Sequence, residues 1–247
     1  MWSVNLIKSA FHKTSEFHRK FAGDNKGIAA IEFALIAPVM IMFYFGLAEV
    51  SLLVSADRKT AQAASLVGDL TAQDPTLDLP MAENYVGAVL AVLGTDPAQS
   101  ARVGLEMYSL EATLGPDTDG DGVADREINE VGYLEFGPAF NPGSDGGTPA
   151  DTSDDTAKGR YDGDAIEERL LAPGGGVVVA RVVYEYESPY RYFVKSPRLR
   201  EVFLLKPRRS ATVEFQNGRT TGTAKQQREI ACTLTSTAPN VVECNAL

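Results

Sequence analysis

The side chains best placed for chemistry are carboxylates. Asp117, Asp119, Asp121 and Asp125 alternate through Asp117-Thr118-Asp119-Gly120-Asp121-Gly122-Val123-Ala124-Asp125. Alternating aspartates with a glycine in sixth place can wrap oxygens around a hard cation. Calcium would then be held by Asp117, Asp119, Asp121, the backbone of Val123, and Asp125. Ile128 stands in twelfth place, where a bidentate glutamate is wanted, so Glu127 or Glu130 would have to substitute. Affinity would fall in the ~10⁻⁴ to 10⁻³ M range of extracellular modules. The same residues also make an ordinary soluble acidic turn, and both readings stay open.

Other chemistries are poorly supplied. His12 and His18 are the only histidines, so nothing beyond them can run a Ser-His-Asp or Cys-His mechanism or hold a histidine-ligated zinc. Gly174-Gly175-Gly176 lacks the Lys-Ser/Thr of a phosphate loop and reads as turn glycines. Cys232 and Cys244 fit no zinc spacing; they either close a short disulfide in an oxidising compartment or remain free thiols. A membrane-anchored hydrolase would need only two carboxylates. Here they cluster in a flexible-looking loop that would hold no fixed separation. No enzyme is expected, and no cofactor beyond a structural calcium.

A net charge of -10 and a pI near 4.8 offer no basic face for phosphates, so nucleic acid is not an expected partner. The dominant element is an apolar run from Ile28 to Val54, interrupted only by Glu32 and Glu49. From Ile28 it gives about 20 residues, enough for a ~30 Å hydrocarbon layer. Lys8, Lys13, Arg19, Lys20 and Lys26 precede it and are expected to stay cytoplasmic, leaving the C-terminal part outside. Two other readings compete. One is a buried helix, disfavoured because apolar residues cover every face. The other is a secretory signal cut near Val54-Ser55-Ala56, for which the run is too long.

Gly27-Ile28-Ala29-Ala30-Ile31-Glu32-Phe33 follows the basic leader and resembles a type IV prepilin processing site. The resemblance implies that a prepilin peptidase cuts after Gly27, leaving Ile28 as a new N-terminus with Glu32 in fifth position. A carboxylate in lipid costs ~2.5 to 3.5 kcal/mol and wants a partner; the free amine of Ile28 on a neighbouring subunit would supply one. Alternatively Glu32 marks the cytoplasmic end of the span and reaches the headgroups. Glu32 to Pro38, with Phe45-Gly46 and Glu49, is similar to the signature of TadE-like pseudopilins of the Tad (Flp) pilus system. Val183 to Pro189 and Lys206 to Ser210 look like the Tyr-x-Tyr-x-x-Pro and Arg-Pro-Arg segments of TadE-like and TadG-like chains, with Lys206 in place of an arginine.

These readings define an α+β fold: a basic leader (1–27), a transmembrane and extended helix (28–73), and an extracytoplasmic α+β domain (74–247). The domain is expected to be pilin-like, with an antiparallel sheet. The helix should run on through Ala61, Ala64, Ser65 and Gly68 to Gln73, a rod of about 70 Å. A second helix is expected from Pro80 to Leu93, and a short one from Ala165 to Leu171. Strands are expected at Arg102 to Glu111, with Val103, Leu105, Met107 and Ser109 on one face, and at Glu130 to Phe136. Val177 to Tyr186 should be buried on both faces. Glu201 to Leu205 and Ser210 to Gln216 should form an antiparallel pair turning at Pro207. An acidic insertion (115–164) holds, between Asp117 and Asp164, thirteen acidic residues against three basic ones. That excess equals the whole net charge, so the segment reads as solvated and disordered around 141–158.

The resemblance implies a minor pseudopilin in the inner membrane that helps assemble or prime a Tad pilus, and through it adhesion. Its partners would be other pilin-like subunits, the Tad assembly platform and the prepilin peptidase. The rival is an uncut periplasmic binding or scaffolding module acting through a calcium-dependent acidic loop.

Overall fold

The computed structural model describes residues 26–94, 100–118, 120, 122–137, 166, 169–194, 196–224, 226–237 and 240–247. Most of the expected leader and the expected disorder at 141–158 lie outside them. The chain divides after Val50 into two units, Met1–Val50 and Ser51–Leu247. A 48-residue helix, α1 (Lys26–Gln73), begins in the first and ends in the second. The division falls inside this helix, ahead of Gln73, because Ala56, Ala63, Ala64 and Val67 belong to the core of the second unit.

The end of α1 follows from local chemistry. Asp74 precedes Pro75, and a residue before proline is pushed out of helical geometry. The Arg208 N–H donates to the Ala72 carbonyl at 2.9 Å, satisfying one of the acceptors that a helix end leaves open. After β1 (Thr76–Asp78), α2 (Leu79–Leu93) starts with Asp78 Oδ1 accepting from Met81 N at 2.9 Å. It stops at Gly94, whose φ of 61° suits glycine. Ala82, Tyr85, Val86, Val89, Leu90 and Leu93 recur at helical spacing and are buried.

The remaining strands are β2 (Val103–Leu114), β3 (Arg126–Phe136), β4 (Gly176–Glu185), β5 (Arg198–Leu205), β6 (Glu214–Gln216), β7 (Glu229–Thr237) and β8 (Asn240–Ala246). Six form one sheet in the order β5-β4-β2-β3-β7-β8. Every pairing is antiparallel except β3 with β7, which is parallel. The second unit is therefore α+β, as expected, with one parallel junction in an otherwise antiparallel sheet.

Both faces of the sheet carry a core. Val103, Leu105, Met107, Val178, Ala180 and Val182 pack with α1 and α2. On the opposite face Tyr108, Leu110, Ala112, Tyr133, Val177 and Val179 pack with Ile166 and Leu171. Arg126 ties that cover down, its Nη1 donating to the Ile166 and Leu171 carbonyls at 3.2 Å each. β2 is covered on both sides: Val103, Leu105 and Met107 share one face as expected, and Tyr108, Leu110 and Ala112 are buried on the other. β4 is buried on both faces as read from its β-branched run.

Two expectations are corrected. Residues 210–216 do not turn back on β5; only Glu214–Gln216 is a strand, and it pairs in parallel with β1 in a separate two-stranded sheet. The hydrogen bond from Arg208 to Ala72 draws the chain to the end of α1, and Glu214 N then donates to Pro75 O at 3.0 Å. Arg169 and Leu170 form a turn where a short helix was expected; Ala165, Glu167 and Glu168 lie outside the described residues.

Two glycines set close approaches. At Gly68 a Cβ would meet Leu205 Cδ1 at 3.1 Å and Ala180 Cβ at 3.5 Å, so α1 rides close on the sheet. At Gly132, beside the bulge in the β2 and β3 pairing, a Cβ would lie 2.5 Å from Phe215 Cγ. Gly132→Ala is expected to destabilise the unit by about 1 to 3 kcal/mol through overpacking. Gly87→Ala, on α2 with nothing within 4 Å, should be neutral or stabilise by up to ~1 kcal/mol. Thermal unfolding of the two variants in detergent checks the contrast.

Candidate functional site

The helical part of the first unit exposes its apolar residues. Phe33 is 73%, Leu35 74%, Tyr44 72% and Leu47 70% exposed, and Ile36, Val39, Met40 and Ile41 all exceed half. These positions go round the helix, so they cannot be one side of a buried core helix. The helix is long and apolar enough to cross a membrane, and its most apolar stretch is unburied. That is consistent with a single-pass anchor. Pro38 lies inside it and the helix continues through, as membrane helices tolerate.

Glu32 is exposed on this helix. Gly27 and Ile28 are in its first turn. Glu49, by contrast, is fully buried.

In the acidic loop, Asp117 accepts from Gly120 N at 2.7 Å (Oδ1) and Gly122 N at 2.8 Å (Oδ2). Both glycines have positive φ, +79° and +86°. Asp125 Oδ2 accepts from Thr118 N at 2.7 Å and from the Thr118 hydroxyl. Those bonds to the hydroxyl first, and then to the backbone, hold the Asp125 carboxyl below the usual aspartate range. Asp119 and Asp121, the other two carboxylates of the expected calcium set, lie outside the described residues; Val123 is exposed. Among the described residues no three His, Cys, Asp or Glu side chains gather as a metal site.

Cys232 and Cys244 are directly opposite one another on β7 and β8 and form a disulfide. Both are buried, and Cys244 N donates to Glu83 Oε1 on α2 at 3.2 Å. The bridge thus joins the sheet edge under the second helix.

The most organised polar cluster was not singled out from the sequence. Glu106 on β2 and Arg181 on β4 are register partners, 1% and 6% exposed, with Arg181 Nη1 2.8 Å from Glu106 Oε2. The Tyr108 hydroxyl donates to Glu106 Oε2 at 3.1 Å. Tyr133 OH reaches Glu135 Oε2 at 2.7 Å and Glu106 Oε1 at 3.5 Å. Burial, then the bond to Glu135 and the charge of Glu106, push the Tyr133 phenol well above its ordinary pKa. Burial and the positive charge of Arg181 pull the Arg200 guanidinium down. The signal was in the sequence: an arginine in the middle of a strand buried on both faces needs a carboxylate partner. The cluster holds a sheet together; a cavity of about 200 Å³ lies elsewhere, lined by α1 between Leu52 and Lys59 and by residues from Tyr184 to Pro189. Among its described lining residues the one carboxylate, Glu187, is ion-paired with Arg102 and Arg191.

One helix whose apolar, unburied stretch is long enough to cross a membrane runs on into an α+β unit, which is consistent with a membrane-anchored chain. The family model described as TadE-like protein matches residues 27–67. The match covers the anchor and the first part of its extension, including Gly27, Ile28 and Glu32, and ends before the first strand. No curated protein and no solved structure matched the chain.

Proposed function

We propose that the chain is a minor pseudopilin-like component of Tad (Flp) pilus assembly, an anchored structural and assembly protein. The TadE-like match associates it with the Tad pilus machinery. The observation that carries the reading is where that match falls: on the one described helix able to cross a membrane, with Glu32 exposed near its start. In this reading α1 spans the inner membrane, the leader is cytoplasmic and the α+β unit is periplasmic. A prepilin peptidase cuts after Gly27, and Glu32 pairs with the amine of Ile28 on a neighbouring pilin-like subunit. Burying the two charges together offsets the cost of a lone carboxylate in lipid and sets the stagger between packed helices.

The test is the N-terminal sequence and intact mass of the protein from membranes of cells with and without their prepilin peptidase. An N-terminus at Ile28 that depends on the peptidase is expected. An intact Met1 in both cells would sink the processed form. It would favour the second reading, an uncut periplasmic tether whose acidic loop takes calcium.

A further inference from the structure

The connection from β4 to β5 carries three large rings at the surface: Tyr190, Tyr192 and Phe193 are 43%, 76% and 54% exposed. Their display is braced from below. Tyr186 N donates to Pro197 O at 3.1 Å and closes the neck of the loop. Ser188 is buried, and its hydroxyl oxygen accepts from Tyr190 N and Arg191 N at 3.4 Å each. Arg191 adopts φ of 54°, which non-glycine residues seldom occupy. Glu187 holds Arg102 and Arg191 in ion pairs. A braced turn presents apolar rings at a lower ordering cost than a loose one would.

The position of the loop says what they meet. Glu187 and Pro189 share a cavity with Leu52, Ser55 and Lys59 of α1, so the root of the loop sits beside that stretch of helix. Within it the apolar run ends at Leu52-Leu53-Val54, and Asp57-Arg58-Lys59 begins the charged part. In a membrane-spanning helix that change marks the passage from hydrocarbon to water, the layer in which tyrosine and other aromatic rings are favoured. The charge agrees. Residues 186–200 carry Arg191, Lys195, Arg198 and Arg200 against Glu187, in a chain of net charge -10. Arg191 and Arg198 are paired with Glu187 and Glu185, so the rings carry the larger part of the contact.

We propose that the loop Ser188–Phe193 seats Tyr190, Tyr192 and Phe193 in the headgroup layer of the bilayer that holds α1. The proposal rests on the single-pass reading of α1. The test uses the full chain in phosphatidylcholine vesicles with its single tryptophan removed by Trp2→Phe. One tryptophan is then placed by Tyr192→Trp, by Phe43→Trp in the anchor, or by Gln216→Trp on an exposed strand. Lipids brominated near the headgroup should quench the Tyr192→Trp emission at least twofold, and acrylamide should quench it weakly. Phe43→Trp should be quenched by lipids brominated along the chain, and Gln216→Trp by acrylamide alone. If Phe43→Trp is quenched by lipid and Tyr192→Trp behaves like Gln216→Trp, the loop is in water and the proposal fails while the anchor stands. If Tyr192→Trp is shielded from acrylamide without quenching by lipid, the loop belongs to a protein contact, and the proposal fails again. An anchor probe that no lipid quenches would overturn the single-pass reading itself.

Discussion

Replacing Arg181 with methionine is expected to cost the α+β unit about 3 to 5 kcal/mol, because it strands the Glu106 carboxylate inside the protein. Glu106 is 1% exposed; with the Arg181 guanidinium gone, the Tyr108 and Tyr133 hydroxyls still face it, and the Arg200 guanidinium, which also feels its charge, lies beyond the hydrogen-bonding contacts that the structure shows. Neutral donors cannot match a full positive charge at 2.8 Å. For a unit of this size the loss would lower the melting temperature on the order of 10 °C. The double variant Glu106→Leu with Arg181→Met removes the charge as well as its partner. It should return to within about 1 to 2 kcal/mol of the parent, the residue being a Tyr108 hydroxyl without its acceptor. Near-ultraviolet circular dichroism follows the melt directly, since Tyr108 and Tyr133 pack with ring centroids 5.1 Å apart. Equal losses in the single and double variants would mean that packing, not the stranded charge, is responsible.

That pair also shows where sequence reading stops. The run Val177 to Tyr186 announces a strand buried on both faces, and it is one. An arginine inside such a strand announces an acidic partner, but only register says which of many carboxylates it is. Register comes from long-range pairing, here Glu106 with Arg181 across 75 positions. Local signals did better. Asp74-Pro75 ends α1 after Gln73, and Asp78 with Pro80 starts α2 within a residue of expectation. Both are effects of nearest neighbours on backbone geometry.

The failures have the same origin in reverse. Residues 210–216 look like a partner for β5 because they follow it closely, and sequence-adjacent strands usually pair. The chain instead returns to the end of α1, where Arg208 also forms an ion pair with Asp69. That places β6 beside β1 and lays Phe215 over Gly132. The parallel junction of β3 with β7 was equally hidden, since it joins segments nearly a hundred residues apart. At the anchor the position is different. A run apolar on every face needs no tertiary partner to be recognised, and the match to TadE-like proteins falls on that local pattern.

Loss of the Cys232–Cys244 bridge is the other large effect expected. The cysteines are 12 positions apart, and closing a loop of that size in the unfolded chain contributes about 3 kcal/mol by loop entropy. The consequence should be local before it is global. β8 is an edge strand whose sheet partner is β7 alone, and the bridge sits between Glu229–Thr237 and the strand it secures. The pair of substitutions Cys232→Ala and Cys244→Ala should therefore speed hydrogen exchange at 240–246 before it affects β2 and β4. The melting temperature should fall by roughly 6 to 12 °C. Thiol accounting adds a readout of compartment. Protein from membranes, denatured without reductant, should take up no maleimide, and after reduction two per chain. Disulfides persist in the periplasm and are rare in the cytoplasm, so the bridge should be lost in cells lacking their periplasmic thiol oxidase. Cysteines reduced in both kinds of cell would put the α+β unit on the cytoplasmic side and reverse the proposed orientation of α1.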